Sequence, residues 1–202
     1  MVTPIRGTIV LVCSVVVTAS AAPGVPGGED VTGTTDDVSF VASCDGTEQR
    51  YVRVLPAGLD DTAAHDVLIV LHGHGSDRWQ FVKDKRAECR AARDAAAKHD
   101  MIYISPDYRA STSWMGPQAE ADMLDIIRAV RGQYKVDRVF LCGASMGGAS
   151  ALTFAVLHAN LLAGVIAMNG LASHVEYRNF QDAIAKSFGG TKDEVPEEYR
   201  KR

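Results

Sequence analysis

The chain has 202 residues, 47% of them apolar and 23% charged, enough for one globular domain with a real core and too short for two comfortable ones. Its formal charge of −4 is spread along the sequence, and the longest basic block is YRKR at 199–202. Nucleic acid and anionic membrane are therefore excluded as partners on electrostatic grounds.

The first residues, MVTPIRGTIVLVCSVVVTASAAPG, place Arg6 ahead of an apolar run from Thr8 to Thr18, followed by Ala19-Ser20-Ala21. That is the order of a secretory signal peptide cleaved after Ala21, and the run falls short of the ~20 apolar residues that span a bilayer. Residues 1–21 are thus expected to be removed and the protein to be secreted or periplasmic. The alternative is that the run stays, as a buried first strand or an uncleaved anchor. Residues 22–37, APGVPGGEDVTGTTDD, have no apolar period and read as a flexible leader, which leaves 38–202 as the domain.

Within that domain VSFVASC (38–44) and QRYVRVLP (49–56) flank the turn-prone DGTE and predict an antiparallel hairpin. DVLIVLH (66–72) is a continuous rather than alternating apolar run, the pattern of a central strand covered on both faces. A long helix is expected from Trp79 to His99. Strand MIYIS (101–105), helix 117–134, strand RVFLC (138–142), helix 146–159 and strand LAGVIAMN (162–169) follow. In the middle helix Pro117 suits the first turn, and Met123, Ile126, Ile127 and Val130 recur at helical spacing. Strand–helix alternation of this kind requires a parallel sheet with helices on both sides. VEYRNFQDAIAKSF (175–188) reads as a last helix, with no further strand after it.

Without the signal, three cysteines remain: Cys44, Cys89 and Cys142. Their spacing supports no metal or redox motif, so no metal and no cofactor are expected. Buried free thiols and a single Cys44–Cys89 disulfide both remain open.

The stretch LCGASMGGAS (141–150) carries the chemistry. A strand feeds directly into Ser145 and a helix leaves it at once, the strand–turn–helix arrangement of a nucleophile elbow. The turn is tight enough that Gly143 and Gly147 must lack side chains, and the helix N-terminus favours negative charge at the serine. LHGHGSD (71–77) adds a second turn, with Gly73 and Gly75 around His74, where backbone N–H groups face a ligand freely. Acyl transfer needs two donors at ~3 Å from the developing oxyanion, and the His74 and Met146 N–H groups fit that role. His72 reads as a structural hydrogen-bonding residue beside the loop.

LHGHGSD, SWMGPQAEADM and YKVDRVFLCGASMGG resemble the α/β-hydrolase superfamily over about residues 48–170. Within it they look like the exported esterases and prolyl-oligopeptidase-like enzymes, a group that includes feruloyl esterases and polyhydroxybutyrate depolymerases. The resemblance implies a three-layer α/β fold with a mostly parallel central sheet, Ser145 as nucleophile, oxyanion donors at His74 and Met146, and Trp114 at the substrate cleft, with a core tryptophan as the alternative for the last. The substrate it implies is a small-molecule or polymer-linked ester. A peptidase is the nearest rival, but its usual propeller has no room before Asp66. A non-catalytic, hydrolase-like binding domain is the reading of another class.

In this fold the acid and histidine follow the nucleophile in chain order. Only His158 and His174 do so here, and His158 lies roughly 20 Å along its helix from the elbow by the rise per residue. His174 precedes the place where the family puts its base. The expectation is a domain incomplete at its C-terminus, lacking the last strands, with an unpaired sheet edge and weak activity or none.

Overall fold

The structure, a computed structural model, describes residues 9–12 and 33–202. Cys13, residues 22–32 and all of the signal-peptide reading except Ile9–Val12 lie outside the described residues. Among the described residues, seven strands form one mixed sheet: β1 (Ile9–Val12), β2 (Gly33–Val41), β3 (Glu48–Pro56), β4 (His65–Leu71), β5 (Ile102–Pro106), β6 (Val136–Ala144) and β7 (Gly164–Met168). Their spatial order is β1-β7-β6-β4-β5-β3-β2. The five strands from β1 to β5 in that order run parallel, and β3 and β2 close the other edge antiparallel.

β4 explains the layering. Its pleat sends Val67, Ile69 and Leu71 into one apolar layer and Leu68 and Val70 into the other, as a period of two requires. The first layer is covered by α3 (Pro117–Gln133) and α4 (Met146–Leu157), the second by α1 (Gln80–Lys83) and α2 (Ala87–Lys98). Met123, Ile126, Ile127 and Val130 are the buried apolar stripe of α3.

Several expectations need correction. The helix read from Trp79 to His99 is broken at Asp84–Arg86, where the backbone is extended (ψ 138° at Asp84, 149° at Arg86). The Asp84 carboxylate accepts the Arg86 N–H at 2.9 Å, the side-chain competition with the backbone that makes Asp a poor helix interior residue. β2 reaches back to Gly33, so Gly33–Asp37 is strand rather than leader. Asp36 and Asp37 are held there by Arg53 at 2.8 Å and by Arg78 at 2.8 Å. The helix read over 175–188 spans only α5 (Gln181–Phe188), and it is not the last: a further helix, α6 (Pro196–Lys201), follows it. Its start carries Pro196, Glu197 and Glu198 and its end Arg200 and Lys201, matching the helix dipole. The outer edge of β7, expected to be unpaired, is covered by β1 from Ile9↔Gly164 to Val12↔Ala167.

Cys44, Cys89 and Cys142 are free thiols, Cys44 exposed and the other two buried. Burial pushes the Cys142 thiol up to about 12, so this neighbour of the elbow is no nucleophile near neutrality.

The hairpin turn between β2 and β3 is tied to α3 by charge. Arg109 bonds Asp45 at 2.8 Å and Asp122 at 2.7 Å, while Ser43 donates to Asp125 through N–H (2.7 Å) and Oγ–H (2.9 Å). Asp122 is fully buried and its Oδ2 has no partner among the described residues. Burial therefore pushes its carboxyl up to about 6 from an ordinary 3.8, against the pull of Arg109. Between about pH 4 and pH 6 the folded chain keeps a proton that the unfolded chain has released, so this group costs stability as pH rises through that window. Asp122→Asn should remove that fall, on the order of 2 kcal/mol, when urea midpoints are compared at pH 4 and pH 6.5. Identical pH slopes in the two proteins would reject the assignment.

Candidate active site

Ser145 joins β6 to α4 at φ 56°, ψ −121°, a left-handed backbone that strains an L side chain. Its N–H donates to the Met168 carbonyl at 2.9 Å and its own carbonyl accepts the Ala149 N–H at 3.0 Å. The residue is exposed while Gly143 and Met146 on either side are buried. The surrounding backbones leave no room for side chains: a Cβ on Gly143 would stand 2.2 Å from the Gly147 carbonyl oxygen, and one on Gly147 2.1 Å from that of Leu71. Gly148 meets Met168 O in the same way, at 2.6 Å.

The serine opens onto a cleft of about 500 Å³ whose walls include Gly73, Gln80, Phe81, Ala144 and Met168. The loop after β4 is fixed along one side of it. Tyr108 donates its hydroxyl to His72 O at 2.7 Å, the Gly75 N–H donates to Ser111 O at 2.8 Å, and the Gly73 N–H to Gln80 Oε1 at 2.7 Å. Gly75 takes φ +80°, whereas a Cβ on Gly73 would find nothing nearer than 3.7 Å. Neither the His74 nor the Met146 N–H has an acceptor among the described residues, as expected of a loop turn and of the first turn of a helix.

A family model for the α/β-hydrolase fold matches residues 66–199. The chain belongs to the α/β-hydrolase-fold family. Three solved structures illustrate the likeness. Fluorophosphonate-binding serine hydrolase F of Staphylococcus aureus is 18% identical, with 73% of this chain and 63% of that one covered and a TM-score of 0.60. For S-formylglutathione hydrolase of the same organism the values are 19%, 74%, 61% and 0.58. For a ferulic acid esterase of Anaeromyces mucronatus they are 19%, 77%, 70% and 0.53. The chain thus spans less than two thirds of the length of the two staphylococcal proteins, and at these identities the likeness is one of fold.

All six histidines of this α/β-hydrolase-fold chain are among the described residues, and none hydrogen-bonds to Ser145. His72 is fully buried, with Nδ1 at 2.9 Å from Gly73 O and Nε2 at 3.2 Å from Asp107 O. Whichever nitrogen carries the proton therefore meets a carbonyl, and burial lowers the ring's pKa. His74 turns its ring away from the cleft, accepting the Trp114 indole N–H at 3.2 Å and stacking on Phe180 at 4.4 Å. His158 binds Glu120 at 2.8 Å. His174 bonds Arg202 O through Nδ1 at 2.7 Å, and its buried Nε2 has no partner among the described residues; burial also lowers its pKa. His65 bonds Asp60 O at 2.9 Å, and His99 ends α2.

Trp114 is 3% exposed and packs with His74, His174, Tyr177 and Phe180. It is a core residue and not a wall of the Ser145 cleft, because that cleft opens on the α1–α2 side and Trp114 belongs to the opposite layer. Gln80, Gly148 and Gly170 lie outside the residues that the motifs single out. The Gly147-Gly148 doublet signalled the second; nothing local marks Gln80, which reaches the loop only through the fold.

Sterics set two glycines of the site apart. Gly147→Ala should lower stability by at least about 3 kcal/mol or prevent folding. Gly73→Ala, whose Cβ would make only ordinary contacts at 3.7 Å and beyond, should cost under about 1 kcal/mol. Urea unfolding of the two variants checks the contrast, and equal costs would contradict it.

Proposed function

We propose that the protein is a serine hydrolase of carboxylic esters that works through an acyl-enzyme on Ser145. The observation that carries this reading is a strained, exposed serine at a helix N-terminus that opens onto a cleft; the donors we assign to it are the His74 and Met146 N–H groups, which have no acceptor among the described residues. In the reaction Ser145 Oγ attacks the ester carbonyl, and the Met146 and His74 N–H groups receive the charge that develops on its oxygen. The largely apolar cleft suits an ester better than a peptide with its additional donors and acceptors. The names of the three structural neighbours, two hydrolases and an esterase, agree with this reading.

Among the described residues no histidine is placed as a base for the Ser145 proton, since each is engaged elsewhere or sits outside the cleft. Loss of triad members lowers turnover by about 10⁴ to 10⁶ in well-studied serine hydrolases, so the 202-residue chain should acylate slowly and turn over poorly. That same observation favours a second reading, a hydrolase-like domain that binds an ester without cleaving it. A fluorophosphonate probe and p-nitrophenyl acetate distinguish the two. The expected result is labelling of Ser145, none in Ser145→Ala, and turnover by the wild type above that of the variant. No labelling and no difference in turnover would leave the binding domain.

We also propose export, on the order of residues in 1–21. Cleavage after Ala21 would remove β1 and bare the β7 edge, so N-terminal sequencing of secreted material decides between Ala22 as the first residue and a retained edge strand.

A further inference from the structure

Gln80 presents a carboxamide at the cleft beside Phe81, Ala144 and Met168. Its orientation is set by the Gly73 N–H, which must meet an oxygen and finds Oε1 at 2.7 Å. The nitrogen end of the same planar group keeps both hydrogens, and Nε2 has no acceptor among the described residues. Nor is it a sealed, orphaned atom, so it stays open to whatever enters. The place is close to the reacting serine: a Cβ on Gly73 would stand 3.7 Å from the Ala144 carbonyl oxygen, 3.8 Å from Gln80 Oε1 and 3.9 Å from Nε2. Ala144 is the residue before Ser145. The group is also held firmly, since the Gln80 N–H donates to Asp77 O at 3.1 Å and the adjacent Phe81 is 1% exposed. A fixed donor with unspent hydrogens at a cleft wall is the kind of dipole that stabilises developing negative charge without reorganising.

We propose that Gln80 is a third hydrogen-bond donor of this site, with Nε2–H bound to the carbonyl oxygen of the ester beside the His74 and Met146 N–H groups. The proposal rests on the acyl-serine reading above. It makes the carboxamide two-sided: Oε1 braces the loop and Nε2 serves the ligand.

Two substitutions separate these sides. Gln80→Glu keeps an oxygen for the Gly73 N–H and removes the donor; Gln80→Met removes both at similar length. Ser145 labelling by the fluorophosphonate probe should slow about 10²-fold in Gln80→Glu, with the thermal midpoint unchanged, and at least as much in Gln80→Met. Wild-type labelling rates in Gln80→Glu would overturn the proposal and leave Gln80 as a loop brace. A second measurement does not need the nucleophile. In Ser145→Ala, the side-chain amide ¹H–¹⁵N pair of Gln80, identified by its loss in Gln80→Glu, should shift saturably as methyl butyrate is added. No shift would overturn the proposal. A shift in a protein whose wild type is not labelled would instead reject Ser145 as nucleophile and keep the donor.

Discussion

The approach of α4 to the end of β4 governs the rest of the structure. A Cβ on Gly147 would sit 2.1 Å from Leu71 O and 2.7 Å from His72 O, well inside the ~3.5 Å at which heavy atoms begin to attract. The backbones of β6, β4 and α4 therefore meet without intervening side chains. Gly148 against Met168 O and Gly170 against the Gly148 carbonyl carbon, each at 2.6 Å, bring the end of β7 into the same junction. The turn at residue 145 has one way to leave this junction, outward and at positive φ. The strain of that conformation, of order 1–3 kcal/mol, is offset by layers of buried apolar residues on both faces of the sheet.

Around the junction, strained backbone gathers in one stretch. Tyr108, Arg109, Trp114 and Met115 all have positive φ, and each is held by contacts that over-determine it. Tyr108 holds His72 O, Arg109 joins the β2–β3 turn to α3, and Trp114 carries the His74 ring. The stretch acts as a bracket between the hairpin on one side of the chain and the histidine–glycine loop on the other. Its bonds explain why that loop presents backbone rather than side chains to the cleft. Both ring nitrogens of His72 and Nδ1 of His74 are already committed to other partners.

Elements with strong apolar periods were legible in the sequence because burial alone decides them. β4, β5, β6, β7, α3 and α4 needed no knowledge of their neighbours, and the elbow needed only two glycines and a strand before it. What escaped depends on long-range pairing. Asp36 and Asp37 are poor strand residues until arginines 17 and 41 positions away neutralise them. Asp122 and Asp125 look like solvated helix positions until Arg109 and Ser43 arrive from other elements. Trp114 resembled a cleft residue by motif, yet it packs in the layer opposite the cleft, which no local pattern reveals. Gln80 is the clearest case: its neighbours in sequence suggest an ordinary first helical turn, and only the path of the chain from β4 brings its carboxamide back to Gly73.

Placement of the serine and removal of its proton are thus built by separate parts of the molecule. The elbow follows from contacts among β4, β6, β7 and α4, all of which involve backbone atoms and persist whatever faces them across the cleft. The donors share that origin, because helix N-termini and glycine turns leave N–H groups free by construction. A base, by contrast, must be delivered by a side chain from another segment, and in this chain five imidazoles are tied to a carbonyl, a carboxylate or an aromatic neighbour while the sixth, His99, sits at the end of α2 away from the cleft. Electrostatic stabilisation of the oxyanion can therefore survive where proton transfer does not. On the proposed acyl-serine reading, the residual acceleration of such a site measures its fixed dipoles, and the carboxamides of Gln80 and Asn169, which both line the cleft, are those contributed by side-chain amides.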